Sequence, residues 1–162
     1  MTDDIALPAI AELGGRVGSA LRKRGETVAV AESSAGGLIS AALLAVPGAS
    51  AFFLGGAVVY TKAARKALLG MSDAEIAGMQ AETEPYARFI GSRMRERHHA
   101  TWGLGESGAA GPTGSRYGDA PGHAALAVVG PTLRSVIVET GQADRPLNMD
   151  LFDRCCCSST KC

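Results

Sequence analysis

The sequence predicts an α/β sandwich built on a mixed sheet. Strand-like and helix-like segments alternate through the first two-thirds of the chain, the order expected when helices cover a sheet. Two strand-like runs, His123–Val129 and Leu133–Thr140, then flank Gly130-Pro131 and read as an antiparallel hairpin. At 162 residues the length suits one domain with a single core, placed over residues 1–154 and followed by an atypical cysteine-rich tail at 155–162.

The first element is an amphipathic helix over Ile5–Arg24. Ile5, Ile10, Leu13, Val17 and Leu21 trace its apolar stripe, and Arg22, Lys23 and Arg24 sit where cations suit the helix dipole. Gly25 stops it. Glu26–Leu44 then starts as a short buried strand through Thr27, Val28 and Val30 and ends at helical spacing over Leu38–Leu44. After a turn at Val46–Ser50, Ala57–Thr61 is strand-like. Lys62–Leu69 is a short helix with Lys62, Arg65 and Lys66 on one face, either a solvated basic surface or an anion clamp.

Ser72–Met79 is the next helix, with Ser72 and Glu75 spaced as a capping box. Thr83-Glu84-Pro85 starts a longer helix that runs to His98 and His99. Adjacent histidines on a helix point in different directions, which suits surface residues rather than a metal pair. Ala100–Glu106 is a brief strand. A Gly-rich loop follows from Ser107 to Ser115 and continues to Gly122. Arg145–Arg154 closes the chain as a helix, with Asp144 and Arg145 assigned only an ion pair beside it.

Acidic and basic residues balance at 16 each, which removes any charge argument for nucleic acid or an anionic membrane as partner. No apolar run reaches spanning length and the N-terminus lacks a secretory pattern, so a soluble cytoplasmic protein is expected. The cysteines fall at 155, 156, 157 and 162, a spacing that fits neither a zinc site nor a compact disulfide framework. They read as a loose tail with exposed thiols. No metal site and no cofactor are expected.

The chemistry concentrates between Glu32 and Gly37. A strand that turns into a helix through Glu32-Ser33-Ser34-Ala35-Gly36-Gly37 leaves backbone N–H groups unpaired, a site for an anion or a developing oxyanion. A serine hydroxyl there is either a nucleophile or a helix cap. The run Ser107–Ser115 lets backbone approach a ligand closely. Neither loop has the lysine and spacing of a Walker loop. Tyr60 and Lys62 lie at a strand end, where such sheets present ligand-binding groups.

Three separated segments resemble one family. Ala31–Gly37 (AESSAGG), Pro47–Thr61 (PGASAFFLGGAVVYT) and Glu106–Pro112 (ESGAAGP) are similar to the motifs of CinA C-terminal domains, the nicotinamide mononucleotide deamidases, and Thr83-Glu84-Pro85 matches the family's Ser-Glu-Pro. The resemblance covers roughly residues 10 to 150. It implies a three-layer α/β/α sandwich with a five-stranded mixed sheet. It also implies hydrolysis of the carboxamide of nicotinamide mononucleotide to nicotinic acid mononucleotide and ammonia. Carried over by position, Ser33 is the nucleophile and Tyr60 a partner. Glu32, Ser34, Gly36, Gly37, Ser107, Gly108, Gly111, Thr113 and Gly114 hold the ligand. The sequence departs from the family pattern where it has Arg65 for a lysine that resembles the base of a Ser-Lys pair, and Ala35 for a threonine. Arginine stays protonated, so Arg65 cannot be a general base; Lys62, one turn earlier, is the substitute on condition that burial and Arg65 lower its pKa.

Three functions follow as alternatives. The first is an amidohydrolase using Ser33, Tyr60, Lys62 and Arg65. The second is a nucleotide-binding module that keeps the pocket without the reaction. The third is a partner-binding role in a larger assembly, with a homo-oligomer among the options. His123 is the histidine placed nearest the Gly-rich loop.

Overall fold

A computed structural model of the chain describes residues 10–159. Its elements are α1 (Ile10–Arg24), β1 (Val28–Glu32), α2 (Leu38–Leu44), β2 (Phe53–Val58), α3 (Lys62–Leu69), α4 (Asp73–Ala77), α5 (Glu84–His98), β3 (Trp102–Ala109), β4 (His123–Val129), β5 (Leu133–Glu139) and α6 (Arg145–Ser159). The five strands form one mixed sheet in the order β2-β1-β3-β4-β5. β1 runs parallel to both β2 and β3, while β3–β4 and β4–β5 are antiparallel. The α/β sandwich with a five-stranded mixed sheet is therefore the observed fold.

Helices cover both faces of the sheet. On one side α1, α2 and α6 bury Leu21, Ile39, Leu43 and Phe152 against Val28, Val30, Leu104 and Leu126. On the other, Tyr86, Ile90 and Met94 of α5 pack with Leu69 and Met71 against Ala29 and Ala31. Small residues let α5 lie close to the sheet. A Cβ on Gly103 would meet Gly91 O at 2.0 Å, and one on Gly105 would meet Ala87 O at 1.9 Å. The glycines of β3 thus set the spacing of this layer.

Several element bounds depend on local chemistry that was visible. Ser72 accepts Glu75 N–H while Glu75 accepts Ser72 N–H, completing the capping box of α4. Thr83 caps α5 by accepting Tyr86 N–H. Thr61 caps α3 in the same way through Ala64 N–H. The β4–β5 hairpin turns at Gly130-Pro131 as expected, and β5 stops at Glu139 rather than Thr140.

Three bounds differ from the sequence reading, and one has no counterpart to compare. The start of the first helix at Ile5 lies outside the described residues. β2 falls at Phe53–Val58 rather than Ala57–Thr61, because Phe53, Gly55, Gly56, Ala57 and Val58 align with β1; the Gly pair conceals this edge strand. β3 runs to Ala109, so Ser107 and Gly108 are strand residues paired with Ala125 and Ala124. The last helix continues through Cys155, Cys156 and Cys157, which are therefore not a loose tail. Cys156 is 1% exposed and Cys157 7% exposed, packed against the α1–α2 side of the core. Burial raises the pKa of both thiols, to about 12 for Cys157, opposite to the exposed reactive thiols expected. Cys162 lies outside the described residues.

Candidate functional site

The turn after β1 is organised by two buried carboxylates. Glu32, at the end of β1, accepts N–H bonds from Gly37 (2.7 Å), Ile39 (3.2 Å) and Ser40 (2.9 Å) and an O–H bond from Ser40 (2.7 Å). It thereby caps α2, whose N-cap residue Gly37 sits at φ 101° and provides no side-chain bond. Glu106, on β3, accepts Ser33 N–H at 2.8 Å and Ala35 N–H at 2.9 Å, and Ser34 Oγ donates to its second oxygen. Both carboxylates are fully buried. Burial raises the Glu106 pKa to about 7, although its three hydrogen bonds oppose the rise.

This arrangement corrects two sequence expectations. Neither Ser33 nor Ser34 caps the helix; Glu32 does so from inside the sheet. The N–H groups of Ser33, Ala35 and Gly37 do not wait for an anion, because Glu106 and Glu32 already occupy them. Acidic residues deep in an apolar strand were the only sequence signal of this network.

What the turn leaves in front of it is a cleft of about 740 Å3, within the range of small-molecule sites. Ser33, Tyr60, Lys62, Arg65, Gly108, Gly111, Thr113 and Gly114 all line it. Ser33 is 5% exposed, and among the described residues no hydrogen bond involves its hydroxyl. The five other predicted residues do not line the cleft. Glu32 and Ser34 are buried behind the turn in the networks above. Gly36 and Gly37 shape the entry to α2. Ser107 is buried and accepts Glu82 N–H at 3.3 Å.

Residues that the sequence left without a role complete the wall. Arg145 reaches across from the start of α6, donating to Gly111 O at 2.6 Å and Tyr60 Oη at 2.9 Å. Its guanidinium lies 5.8 Å from the Tyr60 ring centre. Asp144 is not its ion-pair partner: Asp144 Oδ1 accepts Leu147 N–H at 2.8 Å and caps α6. Fully buried Asn148 donates to Ala110 O (2.8 Å) and Gln142 O (2.9 Å) and accepts Thr140 O–H (2.5 Å), tying the glycine loop to the last helix. Arg116, Tyr117 and Glu82 also face the cleft.

Lys62 is exposed at the start of α3, so the burial invoked for its use as a base is absent. Arg65 is half-buried, donates to Val59 O at 3.4 Å and stacks 5.1 Å from the Tyr86 ring centre. His123 does not line the cleft. Its Nδ1 faces Glu139 and its Nε2 faces Glu82 O at 2.8 Å, so it braces the cleft wall from behind. With an acceptor at each nitrogen the ring suits the doubly protonated form. Burial alone would lower its pKa, but these bonds and the nearby Asp119 raise it. Among the described residues no group of three or more His, Cys, Asp or Glu is arranged to hold a metal, and no helix is long and apolar enough to cross a membrane.

The model of the CinA C-terminal domain matches residues 10–154. A CinA-like protein of Prochlorococcus marinus (strain MIT 9313) is 45% identical over 111 residues, covering 68% of this chain and 26% of that protein. A CinA-like protein of Anaeromyxobacter sp. (strain Fw109-5) is 40% identical over 134 residues, covering 83% of this chain and 33% of its own length. The chain thus spans about a third or less of the curated relatives it matches. Among solved structures, a CinA superfamily protein from Klebsiella pneumoniae superposes with a TM-score of 0.86 at 25% identity, covering 94% of this chain and 95% of that one. With the family model matched across nearly all of the described residues, this chain belongs to the CinA C-terminal domain family.

Proposed function

We propose that this chain is an amidohydrolase acting on nicotinamide mononucleotide or a closely related amide. The observation that carries the reading is the unbonded Ser33 hydroxyl in a cleft walled by Lys62, Arg65, Arg116 and Arg145. An amide is a poor electrophile and needs an activated nucleophile, charge stabilisation for the oxyanion and a proton for the departing amine. Ser33 Oγ gives its proton to the base and attacks the carboxamide carbon; the C–N bond breaks as the nitrogen takes up that proton and leaves as ammonia. Water then hydrolyses the seryl ester to the acid. Lys62 is the candidate base, since Arg65 stays protonated and serves to bind negative charge. Because the amides of Ser33, Ala35 and Gly37 are occupied, the oxyanion falls to the cationic side chains rather than to the turn. Lys62→Ala is expected to lower ammonia release at least a hundredfold. Unchanged release in that variant would remove Lys62 from the chemistry.

A second reading is favoured by Arg65 standing where the family has a lysine, and by the exposure of Lys62. In it the chain binds a pyridine nucleotide in the same cleft without turning it over. Calorimetric binding without ammonia release selects this reading.

A further inference from the structure

Among the described residues lining the cleft Glu82 is the only acidic one, in the company of four cations, Lys62, Arg65, Arg116 and Arg145. It lies between α4 and α5 with φ at 60°, the left-handed region that a residue other than glycine enters at a cost. Both of its backbone polar groups are held. Its N–H donates to Ser107 Oγ at 3.3 Å on β3, and its carbonyl faces His123 Nε2 at 2.8 Å on β4. His123 is in turn fixed by Glu139 on β5. Three strands therefore hold one strained residue in place.

The side chain is the part left over. It is half-buried, and among the described residues its carboxylate has no hydrogen-bond or ion-pair partner. Arg65 and Arg116 act on it through charge, yet neither closes an ion pair with it. Arg65 is engaged with Val59 O and the Tyr86 ring instead. Burial holds the Glu82 carboxyl above the ordinary carboxylate value while Arg65 pulls it down. A solvated surface glutamate needs no strained backbone and no three-strand brace. Strain that the surrounding structure over-determines clusters at ligand-binding sites, where a side chain must be held in position.

We propose that Glu82 is the specificity-determining residue of the cleft, accepting N–H bonds from the carboxamide end of a bipolar ligand whose anionic end lies among the cations. The idea rests on the amide-nucleotide reading above and deepens it. A carboxamide presents two N–H donors to Glu82. The acid formed from it presents only oxygens and a negative charge, which Glu82 repels. The same contact that selects the amide therefore expels the product.

The test is calorimetric affinity for nicotinamide mononucleotide and for nicotinic acid mononucleotide, in the wild type, Glu82→Gln and Glu82→Gly. Glycine adopts this φ freely, so Glu82→Gly removes the carboxylate while relieving the backbone, and thermal unfolding confirms that each variant is folded. The wild type is expected to prefer the amide, and both variants to lose about tenfold of that preference, mainly by binding the acid better. An unchanged amide-to-acid ratio in both variants overturns the proposal, as does failure of the wild type to bind either nucleotide. Ammonia release by the wild type, measured alongside, separates the two ideas. Release with an unchanged ratio sinks the role of Glu82 alone. A shifted ratio without release keeps Glu82 and sinks the hydrolase.

Discussion

At the scale of single residues, the cleft depends on side chains that never touch it. Glu106 holds Ser33 and Ala35 through one oxygen and Ser34 through the other. Glutamine can reproduce that pattern, with its carbonyl accepting both amides and its NH2 donating to Ser34. Alanine cannot, and leaves two buried N–H groups without partners. Glu106→Ala is therefore expected to lower stability by about 2–4 kcal/mol in denaturant unfolding, and Glu106→Gln by less than about 1 kcal/mol. Equal losses would mean that the carboxylate's charge, not its hydrogen bonds, holds the turn. Arg145 is a residue of the opposite kind, exposed but bridging Gly111 and Tyr60. Arg145→Ala is expected to weaken nucleotide binding about tenfold with little change in thermal midpoint, readable by calorimetry beside a melting curve. The sequence made the cleft positions of Ser33, Tyr60, Lys62 and Arg65 legible through local signals: a glycine turn, a strand end and the basic face of a short helix. Glu106 and Arg145 were not legible in role. Their partners lie more than 70 residues away from Glu106 and 34 and 85 from Arg145.

At the scale of elements, the same division holds. The starts of α4 and α5 could be read because Ser72, Glu75 and Thr83 act on residues three positions away. β2 and the end of β3 could not, because pairing with neighbouring strands overrode their glycines. The continuation of α6 through three cysteines was hidden because its packing partners, α1 and α2, come more than a hundred residues earlier. The glycines of β3 carry the clearest element-scale prediction. Gly105→Ala would place a Cβ 1.9 Å from Ala87 O and force α5 off the sheet. A loss of about 2–3 kcal/mol in denaturant unfolding is expected. Gly15→Ala on α1 meets nothing within 4 Å and serves as the control, expected to be neutral or to stabilise by up to about 1 kcal/mol. Similar effects at the two positions would refute the close packing of α5.

At the scale of the whole molecule, the fold encloses more acid than its core can satisfy. Asp153 of α6 is fully buried, one of its carboxylate oxygens has no hydrogen-bond partner among the described residues, and burial raises its pKa from 3.8 to about 7. A carboxyl whose pKa is higher in the folded than in the unfolded state binds its proton more tightly when folded. Its contribution to stability is present below the unfolded value and is lost as pH rises from about 4 to about 7. Glu106 acts in the same direction over about 4.5 to 7. Asp153→Asn is therefore expected to be more stable than the wild type at pH 8 by roughly 1–2 kcal/mol, allowing for screening, with the difference gone at pH 4. A constant difference across that range would show that Asp153 does not titrate with folding.

Ammonia release from nicotinamide mononucleotide decides whether Ser33 breaks a carboxamide bond in this cleft. Purified wild type is compared with Ser33→Ala, with nucleotide binding measured on both. Steady release by the wild type, a loss of at least a thousandfold in Ser33→Ala, and binding retained in both are expected. Release that persists unchanged in Ser33→Ala, or none from a wild type that binds the nucleotide, would contradict it.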